Sequence, residues 1–269
     1  MKLTRELRVQ LTDSAESYTR KSTNSWSGWP ESELIVPMVV VRATLDGPVD
    51  RQTGYVCDVK VVDRALRHAV AACVERASPP TSHAEFIHRL WQQLEARPTL
   101  PATLDALDTA YSPYLRFRKT QESPNMVTVT QQYEFSAAHR LHCPELSDRE
   151  NQSLFGKCNN VSGHGHNYLL EVCLESEPGP TGRVFSLADM NKIVRQRVID
   201  RFDHKHLNED TDEFKQRNPT VENIAAAVFD LLEDQFAPAR LAGVRLYETP
   251  KTWVDVTGRR TVKTNLQDQ

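Results

Sequence analysis

Residues 158–168 read Cys158-Asn159-Asn160-Val161-Ser162-Gly163-His164-Gly165-His166-Asn167-Tyr168, and the interpretation of the whole chain turns on this stretch. Beyond it, Tyr168, Leu170, Val172 and Leu174 oppose Glu171, Cys173 and Glu175 over residues 167–175, the two-residue period of a half-buried β-strand. His164 and His166 stand two residues apart where that strand begins, so both imidazoles point to one face. Two neutral ring nitrogens on one face are a ready pair of metal ligands, and Gly165 between them leaves room for close approach of backbone or substrate. The preceding strand, residues 126–135, carries Val127, Val129, Tyr133 and Phe135 on one face; His139 continues that parity and is the third candidate ligand. Three histidines leave one position of a zinc ion open, which is the arrangement of a catalytic site rather than a structural one. A His-x-His pair alone is a weak signal, because paired histidines are common in cores and on surfaces.

Cys158 lies six residues before His164 and has two readings. It is either a fourth zinc ligand that closes a structural Cys-His-His-His site, or a thiolate base activated by a nearby cation and Lys157. Further on, Phe202-Asp203-His204-Lys205-His206-Leu207-Asn208 places a carboxylate beside an imidazole, the usual means of fixing a histidine tautomer. The same residues also suit a polar helix C-terminus, where His204 and His206 favour the negative end of the dipole. Glu248 shares a strand face with Val244 and Leu246, so its inward carboxylate needs a partner: an arginine, or N–H donors of a bound guanidine-like heterocycle.

The surrounding pattern is strands in runs with helices between them. Ser186, with Asp189 three residues later, reads as a helix cap before the stripe Leu187, Met190, Ile193, Val194 and Val198. Residues 218–220 (Asn-Pro-Thr) open a second helix with Ile224, Val228 and Leu231 facing inward, and residues 243–248 and 252–256 read as two further strands. This order predicts an α+β sandwich with an antiparallel sheet. The 269 residues carry 33 Lys+Arg against 36 Asp+Glu, a net charge of −3, which argues against a dedicated nucleic-acid binder. No apolar run of about 18 residues is present to span a membrane, and the charged start lacks a secretory signal, so a cytoplasmic protein with reduced cysteines is expected.

Segments of the first half recur in the second. Thr53-Gly54-Tyr55-Val56 lines up with Thr181-Gly182-Arg183-Val184, each read as a turn, a short strand and then a helix. Pro80-Thr81-Ser82 lines up with Pro219-Thr220-Val221, and Leu115-Arg116-Phe117 with Val244-Arg245-Leu246, which sets Lys119 opposite Glu248. Three matches in one order predict two copies of one domain, 1–124 and 125–269, joined by the polar residues 119–125 (KTQESPN). Six of the nine histidines (His139, His142, His164, His166, His204 and His206) lie in the second copy, so that copy carries the chemistry.

FSAAHRL, LSDRENQSLFGKCNNVSGHGHNY, TGRVFSLADM, FDHKHLN, PTVENIA and LYET occur in this order over residues 127–256. Together they resemble the 6-pyruvoyl-tetrahydropterin synthase family, which includes 6-carboxytetrahydropterin synthase. The resemblance implies the tunnelling fold, here as two tandem domains, each an antiparallel four-stranded sheet with two helices on one face. It implies Zn²⁺ on His139, His164 and His166, Cys158 as general base with Asp203 and His204, and a pterin edge anchored by Glu248 with Thr220 and Glu222 nearby. The implied reaction is triphosphate elimination from 7,8-dihydroneopterin triphosphate, giving a pyruvoyl side chain or, after loss of acetaldehyde, a carboxylate; LFGKCNN and the Cys158-to-His164 gap resemble the pyruvoyl branch. It also implies barrels with active sites at subunit interfaces, hence a homo-oligomer, a trimer or hexamer for a fused pair. The first half lacks the HGH motif, the cysteine and FDHKHLN, so it is expected to be a degenerate, non-catalytic copy. Two alternatives remain: a non-catalytic pterin-binding protein with a structural zinc, and a side-chain-cleaving pterin enzyme of folate synthesis, in which Glu often replaces the cysteine.

Overall fold

The computed structural model describes residues 1–11, 35, 37–74, 80, 82–96, 100–179 and 185–258. They fall into two compact units, Met1–Gln131 with Glu175–Ser186, and Gln132–Leu174 with Leu187–Gln269. The first unit runs β1 (Lys2–Gln10), β2 (Met38–Asp46), α1 (Val59–Val74), α2 (His83–Glu95), β3 (Thr103–Ser112) and β4 (Leu115–Thr120). Its strands pair in that order and every pair is antiparallel. β2 alternates as a strand with one buried face should, with Val39, Val41, Ala43 and Leu45 inside. The apolar stripes of the helices (Leu66 and Val70 of α1, Ile87, Leu90 and Trp91 of α2) complete the core.

The expected short strand after Thr53-Gly54 is not formed. Asp50 Oδ1 accepts the N–H groups of Gln52 and Thr53 and the Thr53 hydroxyl, which closes an Asx-type turn, and Asp58 then accepts the Lys60 N–H (2.9 Å) at the start of α1. The segment matched to it, Thr181 to Val184, lies outside the described residues, as does Thr81. Lys119 and Thr120, read as the start of a linker, end β4 instead.

β5 (Val127–His139) begins in the first unit, where residues 128–131 pair with β4, and continues into the second, which goes on with α3 (Asp148–Phe155), a 3-10 turn (Gly156–Asn159) and β6 (His164–Ser176, whose last two residues return to the first unit). There follow α4 (Leu187–Val194), a π turn (Arg195–Ile199), α5 (Asp200–Phe202), β7 (Lys205–His206), α6 (Leu207–Asp210), α7 (Val221–Leu232), β8 (Arg240–Thr249) and β9 (Thr252–Thr257). The strand order is β5-β6-β8-β9, with β7 running parallel along β5. In β6, Tyr168, Leu170, Val172 and Leu174 are fully buried, as their alternation predicts. On α7, Leu232 rather than Leu231 is fully buried beside Ile224 and Val228, since the i, i+4, i+8 row from Ile224 ends there. The first unit runs strand, strand, two helices, strand, strand, while the second adds a helix between β5 and β6 and the short β7 within its helical stretch; both are α+β, with antiparallel closing hairpins.

The two closing hairpins correct one sequence match. Leu115-Arg116-Phe117 belongs to the last strand of its unit and Val244-Arg245-Leu246 to the next-to-last, because short strands alternating Arg with apolar residues look alike in sequence. Register lets the two hairpins be compared directly. β3 pairs with β4 through Ala110↔Arg116 and Ser112↔Leu115, and β8 with β9 through Tyr247↔Trp253 and Thr249↔Thr252. One residue bulges out just before the turn in each hairpin: Tyr111 in the first, Glu248 in the second. Tyr111 thus holds in the first hairpin the position that Glu248 holds in the second, whereas Lys119 lies on the other strand of its hairpin.

Candidate active site

Two elements bring the predicted ligands together. β5 ends on His139, and β6 begins with His164 and His166 on the same face, followed on that face by Tyr168. Phe135 stacks on Tyr168 (ring centroids 5.0 Å, 16°), and Tyr168 presents edge contacts to His139 and His166 (6.3 and 5.7 Å), so the rings are held by aromatic packing from below. The ligand nitrogens of His139, His164 and His166 all lie within 4.8 Å of one another. Cys158 is not part of that group.

The tautomer of His139 follows from its second nitrogen. Nδ1 lies 2.6 Å from the carbonyl oxygen of Pro219, which can only accept, so Nδ1 carries the proton and Nε2 a lone pair. That lone pair faces His164 Nε2 at 3.2 Å and Glu248 Oε1 at 3.6 Å, and the same carboxylate oxygen is 3.8 Å from His166 Nε2. His166 Nε2 is buried without a hydrogen-bond partner. With Nε2 unprotonated on all three rings, the nitrogens and the carboxylate would form a set of donors that a cation holds together. Two nitrogens each ~2.05 Å from a tetrahedral ion stand about 3.3 Å apart, which matches the His139–His164 spacing. Burial pushes His139 down to about 4 and also lowers His164, so both stay neutral and available as ligands near neutral pH. The donor set therefore fits a divalent first-row metal, with a carboxylate beside it.

The Asp203–His204 pair is fastened to the edge of β5. Asp203 Oδ1 accepts the Ser136 N–H (2.8 Å), His204 donates its own N–H to the Ser136 carbonyl (2.6 Å), and Lys205 and His206 continue alongside Ala137 and Ala138. Asn208 completes the strap, accepting from Arg140 N–H (2.8 Å) and donating to Arg140 C=O (3.0 Å). Asp203 Oδ2 lies 2.9 Å from His204 Nδ1. The Ser136 N–H, then the His204 ring, hold the Asp203 carboxyl below the usual range. His204 adopts φ 56°, a left-handed conformation uncommon outside glycine, and its side chain is 82 % exposed.

Cys158 sits in the 3-10 turn, where its carbonyl accepts the Leu141 N–H (2.8 Å). Thr220 is the N-cap of α7, its hydroxyl accepting from Asn223 N–H (3.3 Å), and Glu222 is exposed in the first turn. Of the sequence-read set, His139, His164, His166 and Glu248 meet at one point, while Asp203 and His204 form a separate exposed dyad. Glu248, about four-fifths covered, faces the imidazoles rather than an arginine. Sequence reasoning missed the Pro219 carbonyl, which no side-chain pattern can reveal. It also chose the wrong glycine. A Cβ on Gly165 would make only ordinary contact (3.6 Å to Ala137 O), whereas Gly163, at φ +69°, would set one 2.7 Å from His206 Nε2 and 3.0 Å from His139 O. The Ser162-Gly163 dipeptide is the turn signal that marked it.

A family model described as 6-pyruvoyl tetrahydropterin synthase matches residues 128–259. Human 6-pyruvoyl tetrahydrobiopterin synthase is 41 % identical over 131 residues, covering 48 % of this chain and 90 % of that protein. A putative 6-carboxy-5,6,7,8-tetrahydropterin synthase from Archaeoglobus fulgidus is 33 % identical over 100 residues, covering 37 % of this chain and 78 % of that protein. A solved structure of the Caenorhabditis elegans 6-pyruvoyl tetrahydropterin synthase shares 43 % identity and covers 50 % of this chain and 96 % of its own, with a TM-score of 0.48. Through its second half, which contains every residue of the site, this chain belongs to the 6-pyruvoyl tetrahydropterin synthase family.

Proposed function

We propose that the protein is a zinc-dependent lyase that converts 7,8-dihydroneopterin triphosphate to 6-pyruvoyl-tetrahydropterin with release of triphosphate. The observation that carries this reading is the three-histidine cluster whose lone pairs converge inside the segment matched by the family. The pyruvoyl product is favoured over the carboxyl one by the human relative, 41 % identical against 33 % for the 6-carboxy relative, and by LFGKCNN and the Cys158-to-His164 gap, while Cys158 itself counts against the side-chain-cleaving enzyme.

Zn²⁺ on His139, His164 and His166 would supply Lewis-acid polarisation of the hydroxyls on the substrate's C6 substituent. Glu248 accepts the N–H donors of the amino-pyrimidine edge and fixes the pterin's orientation, and Thr220 and Glu222, at the start of α7, are the further contacts that the family resemblance implies. Cys158, as thiolate, takes the C–H proton of that substituent so that the carbon–oxygen bond to triphosphate breaks. Asp203 holds the proton of His204 on Nδ1 and leaves Nε2 free to move the second proton. His204 is too exposed to act within its own unit's interior, which supports an active site completed by a second copy of the protein, in a trimer or hexamer.

In the same reading, residues 1–124 are a non-catalytic copy of the domain. In support, both units close on an antiparallel hairpin of matching strand lengths, but the bulge that carries Glu248 in the second carries Tyr111 in the first. Tyr111 packs against His83 (ring centroids 3.7 Å) and Phe117 (6.0 Å), so the space a ligand would take is filled with rings.

The deciding measurement is mass spectrometry of the products from 7,8-dihydroneopterin triphosphate. The pyruvoyl compound and free triphosphate are expected; the carboxyl compound with acetaldehyde would move the protein to the other branch. Cys158→Ala should keep the metal and lose about 10²–10⁴-fold in turnover, the range for a lost acid–base group. Loss of metal together with unfolding would favour a structural zinc and a binding protein instead.

A further inference from the structure

Glu248 owes its direction to a defect in the sheet. It is the residue skipped between Tyr247↔Trp253 and Thr249↔Thr252, and a bulge of this kind re-aims one side chain out of the regular alternation. The re-aimed carboxylate ends against the His139–His166 edge of the ligand cluster, at 3.6 and 3.8 Å, with only about a fifth of the side chain exposed. These distances exceed the ~3.3 Å edge of a tetrahedral site by only a few tenths of an ångström. Glu248 is the carboxylate that touches the cluster, and a carboxylate largely covered there needs a cation.

Resting on the metal-site reading above, we propose that Glu248 is a displaceable fourth member of the metal site. In the substrate-free protein its carboxylate is committed to the bound ion. The N–H edge of an arriving pterin draws it away, which frees the coordination position that the substrate's C6 substituent needs. One residue would then couple ring recognition to exposure of the metal, and an ion without its pterin would stay covered.

The test uses the full-length protein, stripped with a chelator and refilled with Co²⁺, whose visible absorption reports its ligands. Zn²⁺ affinity is measured by competition with a chromophoric chelator. Glu248→Gln keeps the shape and removes the charge; it should alter the Co²⁺ spectrum and weaken Zn²⁺ binding on the order of tenfold, the scale of a lost supporting group at a metal. Pterin without a C6 substituent, added to the wild-type protein, should shift its Co²⁺ spectrum toward that of the variant and leave the variant's spectrum unchanged. Thermal melting of the apo-proteins checks that both are folded, and Glu248→Asp serves if Glu248→Gln is not. Identical spectra and affinities in a folded variant overturn the assignment and leave Glu248 as a pterin anchor alone. A wild-type protein that takes up no metal overturns this proposal and the zinc reading together.

Discussion

Gly163 shows how one side-chain atom decides the centre. The residue holds φ +69° immediately before His164, with the His206 ring and the His139 carbonyl closed over the place a Cβ would occupy. An L-residue pays about 1–2 kcal/mol for that backbone region alone, and the His206 contact at 2.7 Å must also give way. Gly163→Ala should therefore lower unfolding free energy by about 2 kcal/mol or more in urea titration and weaken metal binding. Gly165→Ala, which meets only Ala137 O at 3.6 Å, should do far less, and equal effects at both positions would contradict this account. Pro219 acts through its carbonyl, so its contribution to the His139 tautomer belongs to the backbone path and not to its side chain.

The strap formed by β7 and its flanking residues is the element that sets the Asp203–His204 dyad. It is short, two residues of ladder, and is held mainly by side-chain bonds from Asp203 and Asn208 to the backbone of β5. Asn208→Ala would leave the Arg140 N–H and C=O without their partners at a part-buried position, a cost of about 1–3 kcal/mol. The expected result is lower stability in urea and faster amide exchange in β7, with the metal retained because none of its ligands lies on the strap. The helix before it widens to a π turn at Arg195–Ile199, a feature that the spacing of Met190, Val194 and Val198 did not announce, because all three still reach the core.

For the whole molecule, the contrast between the two units makes a stoichiometric prediction. Among the described residues only His139, His164 and His166 form a cluster able to hold a metal ion. Elemental analysis of the purified protein should find one divalent ion per polypeptide, and the double variant His164→Ala/His166→Ala should hold none. A residual ion in that variant would place a second site in the first unit or outside the described residues.

Periodicity and turn residues were enough to locate β5, β6, α7 and the histidine trio, because alternation, a Thr N-cap and a His-x-His at a strand start are local properties of the sequence. The family resemblance was legible for the same reason: its motifs are contiguous. The partner of Glu248, the closure at Gly163 and the matching bulges at Tyr111 and Glu248 were not, since each depends on a bulge or on contacts between segments tens of residues apart. A bulge shifts one residue out of register without changing the composition around it, so only the paired strands reveal which side chain has been turned toward the metal cluster.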